Sequence, residues 1–243
     1  MSRIQPLRQQ VPNLLTLCNL ILGCFSVLMA LENHLLLASW LIFLAALFDF
    51  LDGFAAKLLG AVSDFGKQLD SLADIVSFGM APASMVYMLM KFTGVSGARP
   101  AASAVLYSPL LLVVFAAIRL AIFNLREESP VFRGLATPAV ALFFAGLTMV
   151  VVDHPESSFT AFLLRPGYLL TAILVFSTLM ILRLPMFSLK FTGYGWKGNE
   201  IRYTFLAISL ILLIILQEIA MPVIILAYLL LSIMTLLSKT NKQ

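Results

Sequence analysis

Long apolar runs alternate with short polar breaks along the whole chain, and their lengths predict helices. At 1.5 Å per residue, about 20 apolar residues cross a hydrocarbon layer of about 30 Å. Runs of this order fall at 11–31, 35–59, 70–91, 103–123, 135–152, 167–184, 203–217 and 219–238. The last two are halves of one longer stretch divided by Gln217, Glu218 and Pro222. Split there, the pattern gives eight crossings, although each half is short enough for a tilted or re-entrant hairpin.

Composition agrees with that pattern. Of 243 residues, 61% are hydrophobic and only 12% charged, with a mean hydropathy of +1.00, far from ordinary soluble domains. The expectation is an all-α integral membrane protein, a polytopic helical bundle forming one domain over 1–243 with no soluble module. Its first span follows Arg3 and Arg8, as a signal peptide would. No small-residue cleavage site follows, and Glu32 comes next, so a retained helix is expected. Cys18 and Cys24 lie six apart on that helix and face different ways, which suits ordinary buried thiols.

Charge sets the orientation. Of the 16 lysines and arginines, only Lys91, Arg99 and Arg165 fall on one side of the membrane, and Arg119 lies within a span. The other twelve share the side of the N-terminus, which the positive-inside rule makes cytoplasmic. Both termini are then cytoplasmic. The formal charge of +4 reflects topology and contact with anionic lipid, not nucleic acid.

Against this oily background, the stretch FDFLDGFAAKLLGAVSDFGKQLDSLADIVSFG, residues 48–79, carries five aspartates. Asp49 and Asp52 are three apart and Asp70 and Asp74 four apart, so on helices each pair shares a face. Gly60, Ser63 and Asp64 offer a helix stop and a cap between them, with Asp64 expected as a solvated cap, and Gly66 permits close approach at the next helix start. The midpoints of 52 with 70 and of 49 with 74 both fall near Ala61. An antiparallel hairpin about that point therefore gathers four carboxylates at its cytoplasmic end, about 13 Å from the turn for a nine-residue rise.

Four clustered carboxylates need compensating charge, since like charges and desolvation both oppose ionisation. Pairing with Lys57 and Lys67 is the plain alternative, but two lysines do not neutralise four acids. Two divalent cations do. Oxygen-only ligands suit Mg²⁺ or Mn²⁺, and a two-metal carboxylate site serves displacement at phosphorus.

The same residues carry a resemblance. Asp49, Asp52-Gly53, Ala56, Gly66, Asp70 and Asp74, in this spacing, are similar to the motif of the CDP-alcohol phosphotransferases, with Lys57 where that family usually has arginine. Within the family, the flanking GKQLDSLADIVSFGMAPA, with PNLLTLCNL, AAIRLAIFN and FRGLATPAVA, resembles phosphatidylserine synthases. The likeness runs through roughly the first 140 residues. It implies a membrane transferase acting on CDP-diacylglycerol and L-serine with Mg²⁺ or Mn²⁺ in a bacterial cytoplasmic membrane. It further implies a six-helix catalytic core, here 11–184, extended by a C-terminal helical hairpin, 203–238, and a homodimer.

By the same analogy Asp49, Asp52, Asp70 and Asp74 hold the metals, and Asp74 also acts as general base for the serine hydroxyl. Gly53, Ala56, Lys57, Ser63 and Gly66 would line the nucleotide, though small residues also serve helix packing. Arg119, inside an apolar run, wants an anion; with Asn124 it is expected to hold the acceptor carboxylate or a phosphate. Arg126, Arg133, Lys190 and Lys197 could attract the same anions or be ordinary loop charge. Asn13, Thr16 and Asn19 make a polar stripe on the first helix that suits interhelical hydrogen bonding. Gly79 and Pro82 are expected to kink or end-tune the third helix, and His34 and His154 to lie far from the aspartates. Two other readings stay open: a sister enzyme using glycerol phosphate, inositol phosphate or choline, and a divalent-cation transporter.

Overall fold

A computed structural model describes residues 4–95, 100–125, 134–182, 184, 186, 195 and 199–240. Every regular element among them is helical. Helices α1 (Ile4–Leu31) and α2 (Leu35–Leu58) run antiparallel along each other. α2 closes on Gly60, whose φ of +58° is a left-handed conformation that costs a residue without Cβ little. There the Gly60 N–H donates to the Lys57 carbonyl at 3.2 Å and the Ala61 N–H to the Ala56 carbonyl at 2.8 Å, which satisfies the last carbonyls of α2.

Helix α3 (Asp64–Asp74) starts at once, capped by Ser63, whose Oγ accepts the Gly66 N–H at 3.0 Å. The cap is therefore Ser63, and Asp64 is an exposed residue of the first turn. The helix begins before its apolar zone, because the cap and not the hydropathy sets its start. It continues through a π-helical turn (Ile75–Met80) into α4 (Ala81–Phe92), one span from Asp64 to Phe92. Pro82 has no N–H to give to the carbonyl four residues back, and the ladder widens there: the Ala81 N–H reaches the Val76 carbonyl. The expected adjustment near Gly79 and Pro82 is thus a widened turn.

The next span is not continuous. Helices α5 (Pro100–Tyr107) and α6 (Leu110–Leu125) meet at 50°. Pro109 disfavours helical backbone at Ser108, and the Ser108 hydroxyl turns back to the Val105 carbonyl at 2.7 Å.

Helix α7 (Thr137–Asp153) is apolar on all sides and almost wholly buried, as a central helix must be. It contacts α2, α4 and α11. Phe143 stacks on Phe176 with centroids 4.1 Å apart, tying α7 to α9 (Pro166–Ile181), which follows the short α8 (Ser158–Leu163). Helices α10 (Glu200–Leu216) and α11 (Ala220–Thr240) are separated by a tight turn at Gln217, whose φ is +46°, so the apolar C-terminal stretch is divided as expected. α11 reaches α7 at Gly146, where an added Cβ would stand 2.6 Å from Pro222 Cδ.

Among the described residues, three helices are long and apolar enough to cross a membrane, and the α5–α6 pair makes a fourth. Shorter apolar helices occur in α7, α9, α10 and α11. Cys18 and Cys24 are both free, and Cys24 is exposed, not buried.

Candidate active site

The spacing on α2 and α3 brings the acids together. One carboxylate oxygen each from Asp49, Asp70 and Asp74 lie within 4.8 Å of one another. Asp52, 6% exposed, stands beside this trio with its carboxylate turned to α1, where Thr16 Oγ1 donates to Oδ2 at 2.7 Å. Three of the four acids therefore converge, with Asp52 close enough for its charge to be felt at Asp49, though α2 and α3 are not a closed hairpin. Their backbones hardly approach each other, while α1 packs against both and forms a third wall.

That wall is the polar stripe. Thr16 reaches Asp52, and Asn19 Nδ2 donates to Asp74 Oδ1 at 3.3 Å. Interhelical hydrogen bonding was the expected role, but the partners are the site's own carboxylates. Asn13 Oδ1 lies at the start of α3, 3.1 Å from where a Gly66 Cβ would be; Gly66 thus allows close approach of α1. Gly53 differs, since a Cβ there would meet nothing within 4 Å, and it opens on the side that carries the exposed Lys57. Ala56 is half-buried, and its carbonyl closes α2. Ser63 spends its oxygen on the α3 cap and keeps its proton to donate.

Lys67 does not pair with an aspartate: its Nζ donates to the Asn124 carbonyl at 3.2 Å. Asn124 Nδ2 in turn donates to Ser71 Oγ at 2.8 Å, which places Asn124 one residue from Asp70 in sequence register on α3. Arg119 is buried on α6, close enough to Asp74 and Tyr228 for their electrostatics to act on its guanidinium. Arg126, Arg133, Lys190 and Lys197 lie outside the described residues. His34 and His154 are exposed and take no part in the cluster.

The donors fit a hard divalent cation. They are all carboxylate oxygens, and Asp70 Oδ1 is buried without a hydrogen-bond partner, an arrangement that is costly unless a cation takes the lone pairs.

The sequence pattern of the CDP-alcohol phosphatidyltransferases matches residues 9–182, a segment that contains all four aspartates and the α1 stripe. The chain belongs to that family. A Helicobacter pylori protein named CDP-diacylglycerol–serine O-phosphatidyltransferase is 29% identical over 232 residues, spanning 82% of this chain and 93% of its own. One of the same name from Methanocaldococcus jannaschii is 32% identical over 154 residues, 63% of this chain and 68% of its own. An archaetidylserine synthase of Methanothermobacter thermautotrophicus is 36% identical over 136 residues, 54% of each. Helices α10 and α11 lie beyond the segment that defines the family.

Proposed function

We propose that the chain transfers the phosphatidyl group of CDP-diacylglycerol to L-serine, giving phosphatidylserine and CMP. The observation that carries this reading is the convergence of Asp49, Asp70 and Asp74 within 4.8 Å, with Asp52 alongside, on the positions that the family motif specifies. The names of the relatives favour serine as acceptor.

In this reading Asp49, Asp52, Asp70 and Asp74 hold two ions, Mg²⁺ or Mn²⁺, which when bound supply charge neutralisation at the diphosphate. Asp74 accepts the proton of the serine hydroxyl, which is too weak a nucleophile with its proton in place. The hydroxyl oxygen forms a bond to the phosphorus that carries diacylglycerol. The bond from that phosphorus to the diphosphate's bridging oxygen breaks, and CMP leaves with the electron pair. Gly53 and Ala56 leave room for the nucleotide, Lys57 faces its phosphates as a point charge, and Ser63 and the Gly66 backbone border it. Arg119 and Asn124 hold the acceptor's carboxylate or the phosphate.

The apolar runs and the charge bias support the spans and orientation in this reading, and the family resemblance supports the six-helix core and the homodimer. The chain forms a homodimer in the cytoplasmic membrane and crosses it eight times, six in the core at 11–184 and two in the hairpin at 203–238. Its termini and its site face the cytoplasm.

Purified full-length protein, given CDP-diacylglycerol and a panel of labelled acceptors, tests the reading. Label from serine is expected in lipid. Label from glycerol phosphate but not serine would assign the site to a sister reaction, and metal flux into proteoliposomes without CMP release would point to a transporter.

A further inference from the structure

Asn19 has no exposed surface and is held at two points. Its Nδ2 donates to Asp74 Oδ1 at 3.3 Å, and its backbone carbonyl accepts from Ser77 Oγ at 2.9 Å. Ser77 belongs to the π-helical turn that directly follows Asp74. It presses against Gly23, one turn beyond Asn19 on α1, where any added Cβ would collide with both its side chain and its backbone. The widened turn and the missing side chain thus fix the height at which α1 meets Asp74. The other end of the amide, Asn19 Oδ1, is buried with no hydrogen-bond partner. An asparagine serving only to join two helices would be expected to satisfy both ends.

We infer that Asn19 is a positioning residue for Asp74. A carboxylate turns easily about its last bond, where the torsional wells are broad and two-fold. One fixed amide N–H restricts that freedom by engaging a lone pair of Oδ1, which sets the plane of the carboxylate and so the direction from which it meets the acceptor's proton. Rotating the Asn19 amide would set two acceptors face to face, so the arrangement has one sense. Proximity of base to hydroxyl governs the rate of proton removal, and Asn19 acts on that distance without touching the substrate. This rests on the proposal that Asp74 is the base.

The test uses the full chain in detergent or nanodiscs. Asn19→Leu keeps the shape and removes the donor. Its kcat is expected to fall about 10–100-fold, with both KM values held within about threefold. The solvent deuterium isotope effect on kcat rises as proton transfer becomes limiting, while Mn²⁺ titration by electron paramagnetic resonance gives the wild-type stoichiometry. Ser77→Ala, which frees the Asn19 backbone, gives the same pattern more weakly.

An unchanged kcat in Asn19→Leu overturns the inference. So does a loss of activity that tracks loss of Mn²⁺ with no change in isotope effect. Should Asn19→Leu fail to fold, Ser77→Ala decides: wild-type kcat and isotope effect would sink the idea. A wild-type protein that releases no CMP in response to serine would bring down the transferase reading first, and this inference with it.

Discussion

Thr16 Oγ1 on α1 donates to Asp52 Oδ2 on α2 at 2.7 Å, and the same oxygen lies 3.1 Å from the Pro12 carbonyl. A hydroxyl has a single proton, so the two acceptors compete for it, and the carboxylate, as the charged acceptor at the shorter distance, has the stronger claim. Asp52 is thereby turned away from the closest trio of acids and held from behind.

Thr16→Val keeps the shape and removes the donor. Partners that orient a metal-binding carboxylate are commonly worth 10–100-fold in metal affinity. Half-saturation by Mg²⁺ in a CMP-release assay is therefore expected to rise by about tenfold or more, while Thr16→Ser stays near wild type. An unchanged Mg²⁺ requirement in Thr16→Val would show that the hydrogen bond does not act on the ions.

Ions that bind only the folded chain stabilise it by mass action, by about 2.7 kcal/mol at a concentration 100 times Kd. Chelation is expected to abolish turnover and lower the Tm of the wild-type protein, with Mg²⁺ or Mn²⁺ restoring both. Asp49→Asn with Asp70→Asn should lose the divalent shift in Tm. A shift of full size in the double variant would place the ions elsewhere.

Gly146 is where α7 admits Pro222 and Met221 of α11, and an added Cβ would stand 2.6 Å from the proline ring. A ring on a rigid backbone cannot give way as a flexible side chain would. Gly146→Val is expected to destabilise the protein by about 1–3 kcal/mol through overpacking, read as a lower Tm in detergent. Gly53→Ala, inside α2 where the Cβ meets nothing, should leave Tm unchanged or raise it slightly, since alanine favours a helix over glycine by up to about 1 kcal/mol.

Much of this arrangement could be read along the chain, because it depends on local periodicity. The three- and four-residue spacings place Asp49 with Asp52 and Asp70 with Asp74 whatever surrounds them, and Gly60 and Ser63 set the turn through their own backbone chemistry. Gln217, Glu218 and Pro222 mark the C-terminal break by interrupting the apolar run, and the turn falls there. What stands opposite a helix face is not local. The stripe of Asn13, Thr16 and Asn19 is plain in the sequence, yet its partners Asp52 and Asp74 lie 36 and 55 residues beyond Thr16 and Asn19. The bond between Asn124 and Ser71 spans 53 residues and follows only from the packing of α6 on the third span. The π-helical turn falls where Gly79 and Pro82 mark an adjustment in the sequence, but the Gly23–Ser77 crossing beside it is a tertiary contact that periodicity does not record. The 50° break between α5 and α6 lies at Pro109, inside an apolar run that hydropathy reads as one span at 103–123.

The account turns on Asp74 as the group that takes the acceptor's proton within the shared carboxylate site, and CMP release from CDP-diacylglycerol with and without serine, in wild type and in Asp74→Asn, tests this most directly. The wild-type protein should release CMP only when serine is present, and Asp74→Asn should lose about 10²–10⁴-fold of that rate while remaining folded. Serine-dependent release at the wild-type rate in Asp74→Asn would contradict the account.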